Sequence, residues 1–130
     1  MTRIKIVAIF MLMIISVHAH ATSGTWKQYF ENAKGLKYYI DTSSIVSVSN
    51  GVVRAWQKTE KNAGDGYGML FLLEVDCKQR KYIYRDAEPI KVTAANVQYA
   101  SMYLIKEWSY FAPNDLDDAT RGEWCRQVNK

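Results

Sequence analysis

The fold is decided by the stretch Tyr67-Gly-Met-Leu-Phe-Leu-Leu-Glu-Val-Asp-Cys-Lys-Gln-Arg-Lys81. Successive side chains of a β-strand point to opposite faces of the sheet, so every second residue from Tyr67 to Cys77 shares one apolar face. The other face is apolar in its middle and acidic at its end. A strand with one wholly apolar face and one partly apolar face is typical of the centre of a sheet. We therefore expect this stretch to form the central strand.

The N-terminus carries the pattern of a signal peptide. A short basic segment precedes an almost wholly apolar run over residues 6–17, and small residues follow at Ala19 and Ala21. The apolar run is shorter than the roughly 20 residues that a bilayer span requires. We therefore expect a signal peptide at 1–21, cleavage after Ala21 and one mature domain at 22–130 without a membrane span. This domain should be periplasmic or secreted. Surface display stays open, although no cysteine directly follows the cleavage site to carry a lipid anchor.

Two cysteines remain in the mature chain. Cys77 lies at the end of the apolar face of the central strand, and the other cysteine is Cys125 near the C-terminus. An exported chain folds in an oxidising compartment, where an even cysteine count predicts a disulfide. The alternative, a reactive thiol, would need an activating histidine. For a loop of this length, the chain-entropy model predicts a stabilisation of about 4 kcal/mol.

The composition of the mature domain argues against several classes of function. Removal of residues 1–21 lowers the formal net charge from +4 to +2, which is too small to indicate a nucleic-acid partner. Both histidines, His18 and His20, lie in the signal peptide. The mature domain therefore lacks the commonest general base and the commonest transition-metal ligand. We expect a protein that is not an enzyme and has no cofactor.

Two alternatives to a binding module stay open. The first is a small enzyme that works through carboxylates such as Asp41, Glu74 and Asp76, without histidine chemistry. The second is an inhibitor that inserts a protruding loop, for which the glycine-containing segment Asn62–Gly66 is the candidate.

Strand patterns lie on both sides of the central stretch. Four strands precede it in two predicted hairpins, 25–31 with 36–41 and 45–49 with 52–58. The second hairpin turns at Asn50-Gly51, where both residues tolerate positive φ, and this pair predicts a type I′ turn. A further strand is expected over Lys81–Glu88, after the turn that follows Cys77.

The C-terminal part of the chain is less clearly patterned. Residues 94–105 contain alanines that favour a helix, together with aromatic and β-branched residues that favour a strand. We expect a strand at Ser101–Ile105. Farther on, Asn114 or Asp115 is a candidate N-cap for a helix over Leu116–Val128. Acids in its first turn fit the helix dipole better than a calcium site, because the spacing of an EF-hand loop is absent.

Two parts of the surface are candidates for binding. A small domain covers one sheet face with its helix, which leaves the other face for a protein ligand or for a second copy in a homodimer. The residues of this candidate binding face are Leu70, Leu72, Tyr82 and Tyr84. A basic cluster in and after the turn is a candidate polyanion patch, formed by Lys78, Arg80, Lys81 and Arg85. Cross-strand packing of the tyrosines and an ordinary charged hairpin are the respective alternatives.

Aromatic, turn and cysteine residues follow a distinctive order along nearly the whole mature chain. They are Trp26, Tyr38-Tyr39-Ile40-Asp41, Ser44-Ile45, Gly51-Val52-Val53-Arg54-Ala55-Trp56, Asp76-Cys77-Lys78, Arg80, Tyr82, Trp108, Pro113 and Cys125. This order resembles the surface-adhesin protein E family of Gram-negative bacteria, most specifically in the Tyr-Tyr-Ile-Asp and Asp-Cys-Lys segments.

The resemblance implies both a fold and a role. The implied fold is α+β, a curved antiparallel sheet of about six strands with a C-terminal helix tethered to one face, the concave one, by a disulfide. The implied role is an exported, non-enzymatic binding module, because the founding adhesin binds extracellular-matrix and serum proteins. The shared residues are structural, so the resemblance assigns no binding residues. The founding adhesin is a lipoprotein, and this chain departs from it in lacking the cysteine at its cleavage site.

Overall fold

A computed structural model describes residues 24–62, 68–104 and 106–129. The predicted signal peptide with its cleavage site at Ala21, the first residue of the central stretch, Tyr67, and most of the loop Asn62–Gly66 lie outside the described residues. Predictions about them stay predictions.

The described residues form seven strands and two α-helices, with two short 3-10 helices at Thr42–Ser44 and Arg126–Asn129. In chain order the elements are β1 (Trp26–Glu31), β2 (Lys37–Asp41), β3 (Val46–Ser49), β4 (Val52–Glu60), β5 (Met69–Asp76), β6 (Lys81–Pro89), α1 (Ala94–Ser101), β7 (Ser109–Tyr110) and α2 (Asp115–Cys125).

The strands form one antiparallel sheet in the order β1-β2-β4-β5-β6-β7. The ninth residue of β4, Glu60, pairs with Lys37 of β2, whereas its third residue, Arg54, pairs with Val46 of β3. Strands β2 and β3 thus share one side of β4. Strand β5 pairs with β4 on one side and with β6 on the other, which confirms its predicted central place. The order is open, and the curvature implied by the resemblance is not confirmed.

One face of the sheet packs against both helices, and we call it the helix face. On β5 this face carries Met69, Phe71, Leu73 and Val75, all at most 7% exposed. The opposite face, which we call the second face, carries Leu70, Leu72, Glu74 and Asp76 of the same strand. The alternation follows from the pleat of the strand.

The helix face holds two groups of buried residues. Trp124 of α2 is fully buried among residues of β2, β4 and β5, namely Ile40, Val53, Ala55, Leu73 and Val75. Ala100 of α1 packs with Met69 and Phe71 at the other end of β5. The small alanine side chain lets the backbone of α1 approach the sheet closely, and the two helices thereby divide the face between them.

The predicted disulfide is confirmed. Cys77, immediately after β5, is bonded to Cys125, the last residue of α2, with the two Cα atoms 5.6 Å apart and 48 positions apart in sequence. Because α2 also inserts Trp124 into the core, the bond holds a helix that is already packed against the sheet.

The predicted strand at Ser101–Ile105 is wrong as far as the structure describes it. Residues Ala94–Ser101 form α1, and turn hydrogen bonds continue through Leu104. Thr93 is the N-cap of this helix, and its side chain accepts a hydrogen bond from the Asn96 backbone N–H at 3.2 Å. An N-cap followed by two alanines outweighs the β-propensity of the later residues.

Two further predictions need correction. The Asn50-Gly51 turn joins β3 and β4, but it is not type I′, because Gly51 has a φ of +80° and Asn50 has no positive φ. A register shift between Ser47 and Ser49 accommodates the turn instead. The C-terminal α-helix begins at Asp115 with Asn114 as its N-cap and ends at Cys125, where a 3-10 helix replaces the predicted continuation.

Candidate functional site

The structure does not bring the four residues of the predicted binding face together. Tyr82 and Tyr84 of β6 pair with Val75 and Leu73, so their side chains lie on the helix face. Leu70 and Leu72 lie on the second face. Leu70 is also only 2% exposed, which removes it as an accessible anchor for a ligand.

The second face uses its aromatic residues to bind cations of the chain itself. The Lys58 ammonium lies 4.8 Å from the ring centroids of both Trp26 and Tyr39, and its Nζ lies 3.7 Å from a carboxylate oxygen of Glu60. These distances are within the range of cation–π interactions. This part of the face is therefore closed by its own charged side chains.

A second charged group on this face accounts for part of the predicted polyanion patch. The buried carboxylate of Glu74 lies 3.1 Å from Arg85 Nε and 3.6 Å from an Arg54 guanidinium nitrogen. Arg85 and Lys81 both lie over the Trp108 ring, at 5.6 and 5.1 Å from its centroid. Arg85 is thus in contact with both Glu74 and Trp108, and polyanion binding by this patch stays a prediction.

The other two basic residues of the predicted patch lie in the β5–β6 turn. Lys78 and Arg80 are exposed there, and Arg80 adopts a φ of +55°. The Lys78 stem passes Gly51, where a Cβ would come within 3.0 Å of Lys78 Cγ. Lys81 and Arg85 thus lie together over the Trp108 ring, whereas Lys78 and Arg80 lie in the exposed turn.

Each carboxylate of the enzyme alternative has a structural hydrogen-bonding role. Asp41 is 1% exposed, and its Oδ1 accepts hydrogen bonds from Thr25 and Ser43. Asp76 Oδ1 accepts the backbone N–H groups of Lys78 and Gln79 in the turn. Glu74 is held by the arginines described above. None of the three acids lines a cavity described below.

A cavity of about 510 Å³ opens on the helix face beside α1, and we call it the aromatic cavity. Its size is within the range of about 300–1,000 Å³ that is usual for small-ligand sites. Its principal lining side chains are Tyr82, Tyr84, Tyr99, Met102, Tyr103 and Glu107.

Three elements position the four tyrosines. Tyr82 and Tyr84 alternate along β6 and therefore point to the same face. Tyr99 in α1 and Tyr103 in the turn after it are four residues apart, which places them side by side. Their hydroxyl oxygens are 2.8 Å apart in a hydrogen bond. The structure therefore joins residues that lie about 20 positions apart in sequence into one aromatic surface.

The four rings form a continuous series of perpendicular contacts. Tyr82 meets Tyr84 at a centroid distance of 5.7 Å, and Tyr84 meets Tyr103 at 5.9 Å. Tyr103 in turn meets Tyr99 at 5.5 Å, and the interplanar angles of the three contacts are 73°, 86° and 77°. Edge-to-face contacts of this kind add about 0.5–1.5 kcal/mol each beyond area burial.

Burial raises the pKa values of three tyrosines that line the aromatic cavity. Burial raises the pKa of Tyr84 well above its usual value, and the neighbouring tyrosines add to the shift. Burial, together with the hydrogen bond between its hydroxyl and that of Tyr99, raises the pKa of Tyr103 to about 12. Burial likewise raises the pKa of Tyr82. Glu107 is therefore the charged residue among those that line the cavity.

Exposed apolar side chains are concentrated in the segment that borders the aromatic cavity. Within residues 92–104 they are Val92 (63% exposed), Val97 (48%), Tyr99 (51%), Met102 (69%) and Leu104 (43%), and we call them together the α1 surface. Tyr99 and Met102 belong to both the surface and the cavity lining. The apolar side chains of α1 are thus divided between the core, through Ala100, and the solvent.

Two other kinds of feature are absent from the described part of the chain. Among these residues, no three histidine, cysteine, aspartate or glutamate side chains are grouped so that they could hold a metal ion. Within the same residues, no helix has the length and apolar character needed to cross a bilayer.

Sequence reasoning missed Tyr99, Met102, Tyr103 and Glu107 as site residues. The Tyr99/Tyr103 spacing of four is a helical signal, but it was outweighed by the strand propensity of the same aromatic residues. Of the four residues predicted for the binding face, Tyr82 and Tyr84 line the aromatic cavity, whereas Leu70 and Leu72 do not.

Comparisons of the chain with protein-family models, with curated proteins and with solved structures give no match. The resemblance to the adhesin family therefore stays a prediction that is based on the residues quoted above.

Proposed function

We propose that this protein is an exported, non-enzymatic binding module that binds a protein partner through the α1 surface and the adjoining aromatic cavity. A role of this kind agrees with the one that the resemblance to surface-adhesin protein E implies. Its predicted place of action is the periplasm or the exterior of the cell, after removal of residues 1–21.

The observation that carries the proposal is the exposure of the α1 surface. Five large apolar side chains within residues 92–104 are between 43% and 69% exposed. Single exposed apolar residues are ordinary, but a group of them beside a cavity is typical of an interaction site. Tyrosine and methionine are also enriched where proteins meet, because both give large contact areas and methionine adapts its shape.

Binding through the second face has weaker support. That face presents rings that are already covered by Lys58, Lys81 and Arg85, and one of its two β5 leucines, Leu70, is buried. A partner there would have to break these contacts before it gained new ones. The α1 surface carries no such cost.

Two matched substitutions test the proposal. Val97 on the α1 surface and Val46 on β3 are 48% and 47% exposed, so aspartate at either position leaves the core intact. We expect immobilised mature protein and its Val46→Asp variant to retain the same proteins from periplasmic and matrix extracts, and the Val97→Asp variant to lose them. Equal retention by all three proteins would remove the α1 surface from consideration.

Self-association is measured with the same proteins. Light scattering after size exclusion reports whether the wild type is a dimer. If it is, and only Val97→Asp makes it monomeric, the partner at the α1 surface is a second copy of the chain.

A further inference from the structure

The aromatic cavity has a chemical character that specifies its ligand more closely. We propose that it binds an organic cation, meaning an alkylated ammonium or a guanidinium group with attached apolar carbon. This inference rests on the proposed function, because it names the chemistry that is recognised at the same site.

The first argument is the arrangement of π-systems. The face of an aromatic ring carries partial negative charge and attracts a cation within about 6 Å of the ring centroid. Tyr82, Tyr84, Tyr103 and Tyr99 meet in succession at 73°, 86° and 77°, so neighbouring rings of the cavity lining are roughly perpendicular to one another. A cation in the cavity can therefore approach more than one of these rings.

The second argument is charge. Glu107 lines the cavity, and the described lining residues include no lysine or arginine. Burial raises the pKa values of Tyr84 and Tyr103 further above neutral pH, so these two phenols carry no charge there. An anion would therefore meet one carboxylate and several negative ring faces, while a cation would be attracted by both.

The third argument comes from the contrast with the second face. There, Trp26, Tyr39 and Trp108 are occupied by Lys58, Lys81 and Arg85 of the chain itself. The same chemistry is thus already in use in this fold. The cation–π pairs described above lie on that face, whereas the described residues that line the aromatic cavity include no cationic side chain.

Three features argue against a sugar as the ligand. Sugar sites present several planar polar groups, but here the polar lining beyond the tyrosines is limited to Glu107 and Ser109. The hydroxyls of Tyr99 and Tyr103 are hydrogen-bonded to each other. The remaining lining is apolar, which suits the methyl or methylene groups around a charged nitrogen.

The test uses the mature protein and defined probes in calorimetric titrations. Choline is compared with its uncharged isostere, in which a tert-butyl group replaces trimethylammonium, so that shape is constant and charge changes. Nα-acetyl-arginine amide represents the side chain of a protein partner. We expect choline, the arginine derivative or both to bind at least about tenfold more tightly than the neutral isostere. Whichever cation binds more tightly identifies the source, a free small molecule or a protein side chain.

Variants locate the binding. Tyr99→Leu and Glu107→Gln should each weaken cation binding by about threefold or more, because one removes a π face and the other removes the charge. Tyr110→Leu, at a tyrosine that is 75% exposed outside the cavity, and Glu31→Gln, at an exposed acid of β1, are the matched controls and should bind as the wild type does.

The outcomes separate this inference from the proposed function. Equal affinity for choline and the neutral isostere, with loss in Tyr99→Leu, would overturn the cation specificity and leave the cavity as a binding site. Absence of binding by every probe would also overturn it, and the comparison of Val97→Asp with Val46→Asp would then decide the proposed function independently.

Discussion

Trp124 is the residue through which the C-terminal helix enters the core. Its side chain is fully buried, its indole N–H donates to the Leu73 carbonyl oxygen at 3.2 Å, and its ring meets Tyr29 edge-on at 5.5 Å. A buried tryptophan with its polar atom satisfied contributes both packing and a hydrogen bond. It therefore links α2 to the central strand even before the disulfide is considered.

Substitution of Trp124 tests this role. Trp124→Ala should lower the free energy of unfolding by about 3–5 kcal/mol, since it leaves a large cavity and an unpaired carbonyl group. Urea denaturation measures the loss. Tyr110→Ala, at a position that is 75% exposed, is the control and should change stability by less than about 0.5 kcal/mol. A loss below about 1 kcal/mol for Trp124→Ala would contradict the packing described here.

Because it contains buried tyrosines, the protein should lose stability as the pH becomes alkaline. Burial raises the pKa of Tyr84 above the value of 10.0 for an exposed phenol, so the folded state favours the neutral form. The stabilisation is therefore fully present below the unfolded pKa and is lost as the pH rises through the folded pKa. We expect the free energy of unfolding to fall above about pH 10, and to fall less steeply in Tyr84→Phe.

The matched control for this pH dependence is Tyr110→Phe. Tyr110 is exposed, so its replacement should keep the slope of the wild type. Unfolding free energies between about pH 8 and pH 11 provide the measurement. If Tyr84→Phe and the wild type had the same slope, Tyr84 would not be buried as the structure shows.

Single residues also explain where sequence patterns fail. Strict alternation along β1 would place Phe30 on the face of Trp26, but a register shift between Gln28 and Phe30 turns Phe30 toward Tyr38, at a ring distance of 5.7 Å. Arg85 is the extra residue of a similar irregularity in β6. A bulge adds one residue without changing composition, so an alternating pattern alone does not locate it.

At the scale of elements, α1 determines whether the proposed site exists. It has eight residues and would be marginal alone, so its N-cap and the packing of Ala100 carry much of its stability. Thr93→Ala should cost about 1 kcal/mol, because the Asn96 N–H loses its acceptor.

Amide hydrogen exchange measures which helix loses stability in this variant. The amides of α1 should exchange faster in Thr93→Ala, while those of α2 keep the rates of the wild type. Asn114→Ala is the matched control, since Asn114 caps α2 through a 2.8 Å bond from the Asp117 N–H. Uniform acceleration of both helices in Thr93→Ala would mean that α1 does not open by itself.

The two helices differ in how far the sequence could predict them. For α2 the sequence offers Asn114 or Asp115 as the N-cap with acids after it, and the structure confirms the cap at Asn114. Helix α1 has the cap Thr93, but its valine and tyrosine residues have strand propensity. Its contact with Met69 and Phe71 is long-range, and that tertiary packing adds to the N-cap and the alanines in favour of the helix. The aromatic cavity depends on α1, and the sequence therefore could not place it.

At the scale of the whole molecule, the disulfide closes the fold from its last helix to its central strand. The bond between Cys77 and Cys125 spans 48 positions, and a loop of this length contributes about 4 kcal/mol in the chain-entropy model. This contribution is large beside the total of about 5–15 kcal/mol for a folded domain.

Removal of the disulfide tests its contribution to the free energy of unfolding. The double variant Cys77→Ala/Cys125→Ala should lose about 4 kcal/mol of unfolding free energy in urea, and reduction of the wild type should have a similar effect. Trp124 should keep α2 folded against the sheet in the reduced protein at low urea. A loss below about 1 kcal/mol would show that the C-terminal packing alone fixes the helix.

The sequence predicted the antiparallel sheet, its centre and its covalent bond, because these depend on local alternation and on a cysteine count that allows one pairing. It did not predict which residues share a surface. Tyr82 and Tyr84 join Tyr99 and Tyr103 only because β6 and α1 pack together, whereas Leu70 and Leu72 lie on the opposite side of the sheet.

Whether a ligand binds in the aromatic cavity is tested most directly by NMR of the isotope-labelled mature protein during titration with choline. We expect saturable changes in amide shifts at residues 82–84, 99–103 and 107, with small or no changes around Trp26, Tyr39 and Trp108 on the second face. Changes confined to the second face, or no saturable change at any residue, would contradict the assignment of the cavity as the binding site.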